Sequence, residues 1–343
     1  MPLDSEFADK LRAVADRLFH LIESFSQSKV LIVGDLTLDE FLTGQVERVS
    51  REAPVLILRH ENTKQVPGGG ANAVSNFARL GGQVLAVGIL GKDEQGKALH
   101  GLLESAGIKM DGVFFDPHRP TVTKTRISGH SRQSVTQQIV RVDRKSDGLP
   151  DWDLQLQLSE YIKKQIPSVD AVVCSDYGDG TLTEPVISAV LSGSRIIVDA
   201  QKHLERYRGA TLFTPNLPEA ELAVGYAITD ETTLNQAGRD LLKLTHAKHI
   251  LITRGEQGMT LFNDDGTQER IPAFNKTQVF DVTGAGDTVV AALTLGLTAG
   301  ASVWEASVLG NLAASIVVRQ FGTTTTTPEE MKVALRRLLE ENA

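Results

Sequence analysis

An α/β fold with a largely parallel central sheet and helices on both faces follows from two features of the chain. From residue 29 onward short apolar runs alternate with longer amphipathic stretches, and the runs are continuous instead of alternating apolar with polar. Two regions, residues 36–60 and 113–144, break that rhythm with strand-like sequence of their own. Residues 1–28 come first. Leu11, Val14, Leu18, Leu21, Ile22 and Phe25 recur at helical spacing among mixed charges, which predicts an amphipathic helical extension lying on the main domain. No apolar core follows a basic start, so a signal peptide is not expected. Val30–Val33 reads as a buried strand ending at Gly34, Ala71–Leu80 as a helix, Val84–Ile89 as a strand and Gln95–Ala106 as a helix. Further strands are expected at Ala171–Cys174, Ile196–Val198, Thr211–Phe213 and His249–Thr253. Helices are expected between them, at Leu154–Gln165, Glu184–Leu191, Glu219–Val224 and Leu234–Leu244. Such an order implies right-handed crossovers. The two irregular regions predict a small sheet beside the main domain, serving as a lid, with edge hairpins of the main sheet as the alternative.

Composition narrows the function classes. The 343 residues carry 35 Lys and Arg against 43 Asp and Glu, a net charge of −8. That balance gives nucleic acid or an anionic membrane no general reason to bind, and no stretch reaches the roughly 20 apolar residues of a membrane span. The single cysteine, Cys174, excludes an intrachain disulfide framework and a multi-cysteine zinc site, and suits a cytoplasmic setting.

The most informative stretch is Phe280-Asp281-Val282-Thr283-Gly284-Ala285-Gly286-Asp287-Thr288, followed by small and apolar residues suited to a packed helix. Glycines at a helix start let backbone N–H groups converge on an anion, aided by the helix dipole. A carboxylate inside such a cradle repels phosphate if binding is its only task. It makes sense as a general base for a hydroxyl that attacks the phosphate, which makes Asp287 the candidate base and Gly284, Ala285 and Gly286 the candidate anion hole. The alternative is that Asp287 caps the helix. A second cluster, Pro67-Gly68-Gly69-Gly70-Ala71-Asn72-Ala73, loosely satisfies a dinucleotide fingerprint, but the preceding His60–Gln65 is polar where a buried strand is required. It reads instead as a turn approaching a polar ligand. No P-loop sequence is present. Gly34-Asp35-Leu36-Thr37-Leu38-Asp39 sets two carboxylates beyond the end of the first strand, where open α/β sheets bind ligands; sugar hydroxyls, a metal or a simple turn all remain open. Thr214-Pro215-Asn216-Leu217-Pro218-Glu219 and Thr253-Arg254-Gly255-Glu256-Gln257-Gly258 also follow strands.

Taken in order, these motifs resemble the PfkB/ribokinase family of carbohydrate kinases over residues 29–335. The resemblance implies a three-layer α/β/α ribokinase-like sandwich with a mainly parallel sheet and a small β-sheet lid, inserted at about 36–60 and 113–144, with residues 336–343 ending the last helix. By resemblance Asp287 is the catalytic base and Gly284–Gly286 the anion hole. Asp35, Asp39, Gly68, Gly69 and Asn72 match sugar-holding positions. Asn216 and Glu219 match the motif that organises Mg²⁺, its waters and the ATP phosphates. Thr253, Gly255, Gly258 and Asn311 fall where the nucleotide is held. Asp281 and Thr283 match part of a site that takes a K⁺-type ion in many members.

A narrower resemblance is to the D-glycero-β-D-manno-heptose 7-phosphate kinases of lipopolysaccharide-precursor synthesis. It rests on Arg48–Pro54, Thr123-Lys124-Thr125-Arg126, Arg141-Val142-Asp143, Ser175-Asp176-Tyr177 and Arg206–Thr211. It implies phosphoryl transfer to the anomeric hydroxyl of a sugar phosphate, with Asp176 and the basic residues Arg48, Arg51, Lys124, Arg126 and Arg141 toward the substrate. This chain departs from that pattern where Asp179 and Gln201 stand at usual lysine positions, with Lys202 displaced by one, and the segment 129–138 is longer. The adenylyltransferase half fused to some heptose kinases is not expected. A kinase for an unphosphorylated sugar or nucleoside and a catalytically silent sugar binder on the same fold are the alternatives. The partners expected are a small sugar or sugar phosphate and ATP, and a second copy of the chain docked through the lid.

Overall fold

The computed structural model describes residues 3–131, 136–275, 279, 281–320, 322 and 324–342. Part of the long 129–138 segment and Phe280 of the glycine motif therefore lie outside the described residues. In chain order the elements are α1 (Ser5–Ala13), α2 (Ala15–Glu23), β1 (Lys29–Gly34), β2 (Leu36–Val49), β3 (Leu56–Gly69), α3 (Gly70–Arg79), β4 (Gln83–Gly91), α4 (Glu94–Ser105) and β5 (Lys109–Asp116). They continue with β6 (Val122–His130), β7 (Gln137–Arg144), α5 (Trp152–Gln165), β8 (Ala171–Asp176), α6 (Glu184–Val190), β9 (Ile196–Ala200), β10 (Leu212–Phe213), α7 (Leu217–Val224) and α8 (Glu231–Thr245). The last are β11 (His249–Thr253), β12 (Met259–Asn263), β13 (Gln268–Ile271), α9 (Ala285–Thr298), α10 (Val303–Val317) and α11 (Pro328–Glu340).

Apolar runs become strands here because both faces are covered. Val30 and Ile32 of β1, Val173 of β8 and Ile197 of β9 point into a core shared with α1–α4 and α9–α11. Their neighbours Leu31, Val33, Val172 and Ile196 point into a second core shared with α5–α8. Each such side chain contributes roughly 1.5–3 kcal/mol by leaving water, which is why the continuous runs outweigh any helical alternative. Nine strands are ordered β13-β12-β11-β10-β9-β8-β1-β4-β5. From β11 to β5 all neighbours are parallel. The antiparallel strands β12 and β13 close one edge and were not expected from the sequence.

A separate four-stranded sheet, β3-β2-β6-β7, forms the lid. Its extent differs from the expected segments. Residues 109–116 belong to β5 at the edge of the large sheet, and β3 carries the lid on to Gly69. The lid springs directly from the main sheet, because β1 passes through Asp35 into β2 without a turn and β3 runs straight into α3. The N-terminal extension is two helices broken at Val14, with Phe7, Leu11, Leu18 and Leu21 in the first core. Lys10 stands 4.0 Å over the Trp304 ring and pairs with Glu269. Among the described residues no helix is long and apolar enough to cross a membrane.

Candidate active site

β8, β9, β10 and β11 lie in a parallel row beside β1, whose C-terminal end leads into the lid, and the first turns of α3 and α9 meet through Asn72 and Asp287. Gly284 caps α9 with φ +79°, a left-handed conformation that glycine adopts without the Cβ clash other residues meet. Gly69, φ +50°, does the same before α3, and a side chain there would sit 2.8 Å from Thr37 Oγ1. The two glycines thus bring two helix starts to one place, with the Gly70 amide donating to the Asp35 carbonyl and the Ala285 amide to the Val282 carbonyl.

Asp287 lies in the first turn of α9 and is only 4% exposed. Its Oδ2 accepts a 2.6 Å hydrogen bond from Asn72 Nδ2 on α3, and its Oδ1 a 3.2 Å bond from the Tyr177 hydroxyl. Burial pushes its carboxyl up to about 6, against the lowering effect of Asn72, Tyr177 and the Lys124 ammonium. A carboxylate so placed is ionised at neutral pH yet basic enough to take a proton. It does not act as a helix cap. Behind it, Asn76 donates to the Asn72 carbonyl at 2.9 Å and accepts from Thr288 Oγ1 at 2.8 Å, tying α3 to α9.

Asp35 is buried, and its carboxylate is taken up by backbone: Oδ2 accepts from the amides of Tyr177 and Asp179, and Oδ1 from Thr181. Asp35 therefore shapes the loop after β8. Asp176, also buried, accepts from the Tyr207 hydroxyl and the Gly178 amide, and Arg206 stands 3.5 Å away. Asp39 pairs with Arg126 at 2.8 Å, and Gly68 lies against its carboxylate. The turn expected at Gly68–Gly70 is not one: Gly68 and Gly69 end the lid strand β3, paired with Thr37 and Leu36, and Gly70 opens α3, so the dinucleotide-fingerprint context is absent.

Asn216 and Glu219 close a capping box at the start of α7. Asn216 Oδ1 accepts from the Glu219 amide at 3.0 Å and Glu219 Oε2 from the Asn216 amide at 2.8 Å. Burial raises the Glu219 carboxyl despite those bonds. Beside it Asp199 is pushed well above the carboxylate range by burial, and then by the facing Asp287 and Glu219. Hard oxygen donors of this kind suit Mg²⁺, and among the described residues no three His, Cys, Asp or Glu form a ready metal cage. The donor set thus fits an ion that keeps waters and phosphate oxygens as most of its ligands.

Thr253 bridges Asn216 across the ends of β11 and β10. Gly255 and Gly258 bound the single turn after it, and Asn311 on α10 donates to the Pro272 carbonyl at 2.7 Å. Asp281 Oδ1 accepts from the amide and hydroxyl of Thr283, and Oδ2 from the Gly322 amide. Burial works to raise the Asp281 carboxyl, but these bonds outweigh it and hold it low.

Two cavities flank this centre. One of about 580 Å³ lies between the lid, with Phe41, Lys64 and Arg126, and Asp281 and Thr283. The other, about 280 Å³, is lined by Lys124, Arg141, Arg144, Lys145, Asp143, Tyr177, Asp179 and Gln201 among others. Of the five lid cations expected near substrate, Lys124 and Arg141 line the second cavity and Arg126 the first. Arg48 and Arg51 are exposed near the turn between β2 and β3, and neither cavity includes them. Arg144 and Lys145 were missed, since their charged run, residues 141–147, reads as a solvated face. Lys145 pairs with Asp179 at 3.1 Å, and so carries an ammonium to the place where the sequence departs from the heptose-kinase pattern.

Solved structures share the architecture. The phosphofructokinase-2 of Escherichia coli in complex with potassium superposes with a TM-score of 0.73 at 21% identity, over 91% of this chain and 99% of that one. The ribokinase of Arabidopsis thaliana complexed with ribose and ATP gives 0.69 at 21% identity, over the same shares of 91% and 99%. The bifunctional protein HldE of Desulfatibacillum aliphaticivorans is 39% identical over 321 residues, covering 92% of this chain, which spans 64% of that relative's length. The profile described as pfkB family carbohydrate kinase matches residues 27–330, a range that holds the lid, both glycine clusters and Asp287. The chain accordingly belongs to the pfkB family of carbohydrate kinases and is a phosphotransferase acting on a sugar hydroxyl.

Proposed function

We propose that the chain transfers the γ-phosphate of ATP to the anomeric hydroxyl of D-glycero-β-D-manno-heptose 7-phosphate, giving the 1,7-bisphosphate. The observation that carries the phosphorylated acceptor is the smaller cavity. Four cationic side chains and two carboxylates line it, leaving a surplus of two positive charges beside the base. A phosphate monoester carries about −1.5 to −2 at neutral pH, so the cavity matches a sugar's far-end phosphate. The sequence resemblance to the heptose 7-phosphate kinases supports the same choice.

In this reading Asp287 accepts the proton of the acceptor hydroxyl as that oxygen attacks the γ-phosphorus. The bond from phosphorus to the bridging oxygen breaks, and ADP leaves with the electron pair. The amides of Gly284, Ala285 and Gly286 stabilise the equatorial oxygens in flight. Asp39, Gly68, Gly69 and Asn72 line the sugar's path, with Asp35 and Asp176 holding the loop opposite. Bound Mg²⁺ would neutralise phosphate charge, held through water by Asn216 and Glu219. Thr253, Gly255, Gly258 and Asn311 form the nucleotide's wall, and Asp281 and Thr283 the neighbourhood of a K⁺ ion. Exposed Val140 and Val142 on β7 and Val49, Val55 and Leu56 at the far end of the lid hairpin support a homodimer joined through the lid. The one cysteine, a buried free thiol, supports a cytoplasmic setting.

The test offers the purified protein ATP-Mg²⁺ with free sugars, nucleosides and sugar phosphates, following ADP release and the phosphorus NMR of the product. Phosphorylation of the heptose 7-phosphate at its anomeric oxygen is expected, faster in K⁺ than in Na⁺ or choline buffer. Turnover of unphosphorylated ribose or fructose alone would overturn the substrate assignment, and equal rates in the three salts would overturn the ion.

A further inference from the structure

Tyr177 belongs to both halves of the site. Its ring lines the cationic cavity, with the Lys124 ammonium 5.2 Å from the ring centroid. Its hydroxyl reaches Asp287 Oδ1 at 3.2 Å, and its own amide is anchored on Asp35 Oδ2 at 2.9 Å. Facing Asp287 from the surrounding elements are Asn72 of α3, Lys124 of β6, Asp39 of β2, Asp199 of β9 and Tyr177 itself, while Glu219 of α7 faces Asp199. Of these, Asn72 and Tyr177 are the groups that hydrogen-bond the carboxylate, one on each oxygen.

We infer that Tyr177 is a positioning residue for the base, orienting the Asp287 carboxylate from the wall of the cavity that receives the acceptor's far end. A carboxylate accepts about four hydrogen bonds, so Oδ1 can keep the tyrosine and still receive the acceptor hydroxyl. The neighbouring Asp287 charge, followed by burial, pushes the phenol well above its ordinary range, so it remains a donor throughout. A donor to the ionised form favours that form, so Tyr177 keeps the base deprotonated at a pH where its burial alone would protonate it. The site assignment rests on the kinase reading above, whereas the contact between the two side chains does not.

Tyr177→Phe keeps the ring and its packing and removes only the donor. In protein labelled with ¹³C at the aspartate carboxyl carbon, the Asp287 signal is identified by its loss in Asp287→Asn. It is expected to titrate near 6 in the parent, as burial dictates, and about one unit higher in Tyr177→Phe, the scale of one hydrogen bond to a charged group. This measurement needs no substrate, so it stands whether or not the heptose assignment does. With whichever acceptor proves active, the acid limb of kcat/KM should move up by the same amount. That gives roughly a twofold loss at pH 7 and recovery at pH 8.5. An unmoved Asp287 titration, or a loss of activity equal at all pH values, would overturn the inference.

Discussion

At the scale of single residues the proposed chemistry depends on a carboxylate that burial makes basic. Asp287 is ionised above about pH 6 and protonated below it. A general base works in its ionised form, so kcat/KM should fall tenfold per unit as the pH drops below 6 and level off above 7. Asp287→Asn keeps the shape and removes the proton acceptor. It should cost about 10²–10⁴ in kcat while ATP binding, measured by calorimetry, stays within a few-fold. Near-normal turnover would show that proton transfer does not limit the reaction. The glycine motif made Asp287 legible in the sequence, because a carboxylate inside an anion cradle has few other uses. Tyr177, Asp199 and Lys145 were not legible as site residues. Tyr177 stands within a quoted motif, but only the fold turns the phenol toward Asp287 and sets the Asp199 carboxyl beside Glu219. Lys145 belongs to a charged run like many solvated ones.

Elements position these groups through bonds that a linear pattern conceals. Asn76 is fully buried between α3 and α9, where it accepts from Thr288 and donates to Asn72, the residue that in turn holds Asp287. Asn76→Ala leaves the Thr288 hydroxyl and the Asn72 carbonyl without these partners. It should lower stability in urea unfolding by about 1–3 kcal/mol, the net loss of two hydrogen bonds, the Thr288 hydroxyl keeping its 3.2 Å bond to the Gly284 carbonyl. A variant as stable as the parent would show that the two helices are held by apolar packing alone. The Asn216–Glu219 pair reads in the sequence as a ligand motif and in three dimensions also as a capping box. One pair of side chains therefore sets the start of α7 and faces the proposed Mg²⁺. The edge strands β12 and β13 escaped the sequence because Thr260 and Asn263 interrupt the first and Gln268, Glu269 and Arg270 fill the second. Neither offers the continuous apolar run that marks the buried strands.

Across the whole molecule the net charge of −8 and the two anionic substrates proposed stand together because electrostatics at a site is local. Helix-start amides at α3 and α9 and four cations around one cavity act at a few ångströms, well inside the roughly 8 Å screening length at physiological salt. The lid supplies three of the cations from β6 and β7, and it also exposes Val140 and Val142. If the lid joins two copies, sedimentation should give twice the monomer mass and Val142→Asp should return it to one. A parent protein that sediments as a monomer at micromolar concentration would exclude that assembly. The sequence by itself determined the alternation of buried strands and amphipathic helices, the two strand-like regions that interrupt it and Asp287 as the candidate base. These follow from periodicity and from glycine placement, both local properties of the chain. Only the tertiary structure decided that Asp35 spends its carboxylate on the loop after β8, that Asp176 accepts from Tyr207, that Tyr177 meets Asp287, and that Lys145 answers Asp179. Each of those pairings joins residues from separate elements or loops, and a contact of that kind is set by packing, which no local pattern encodes.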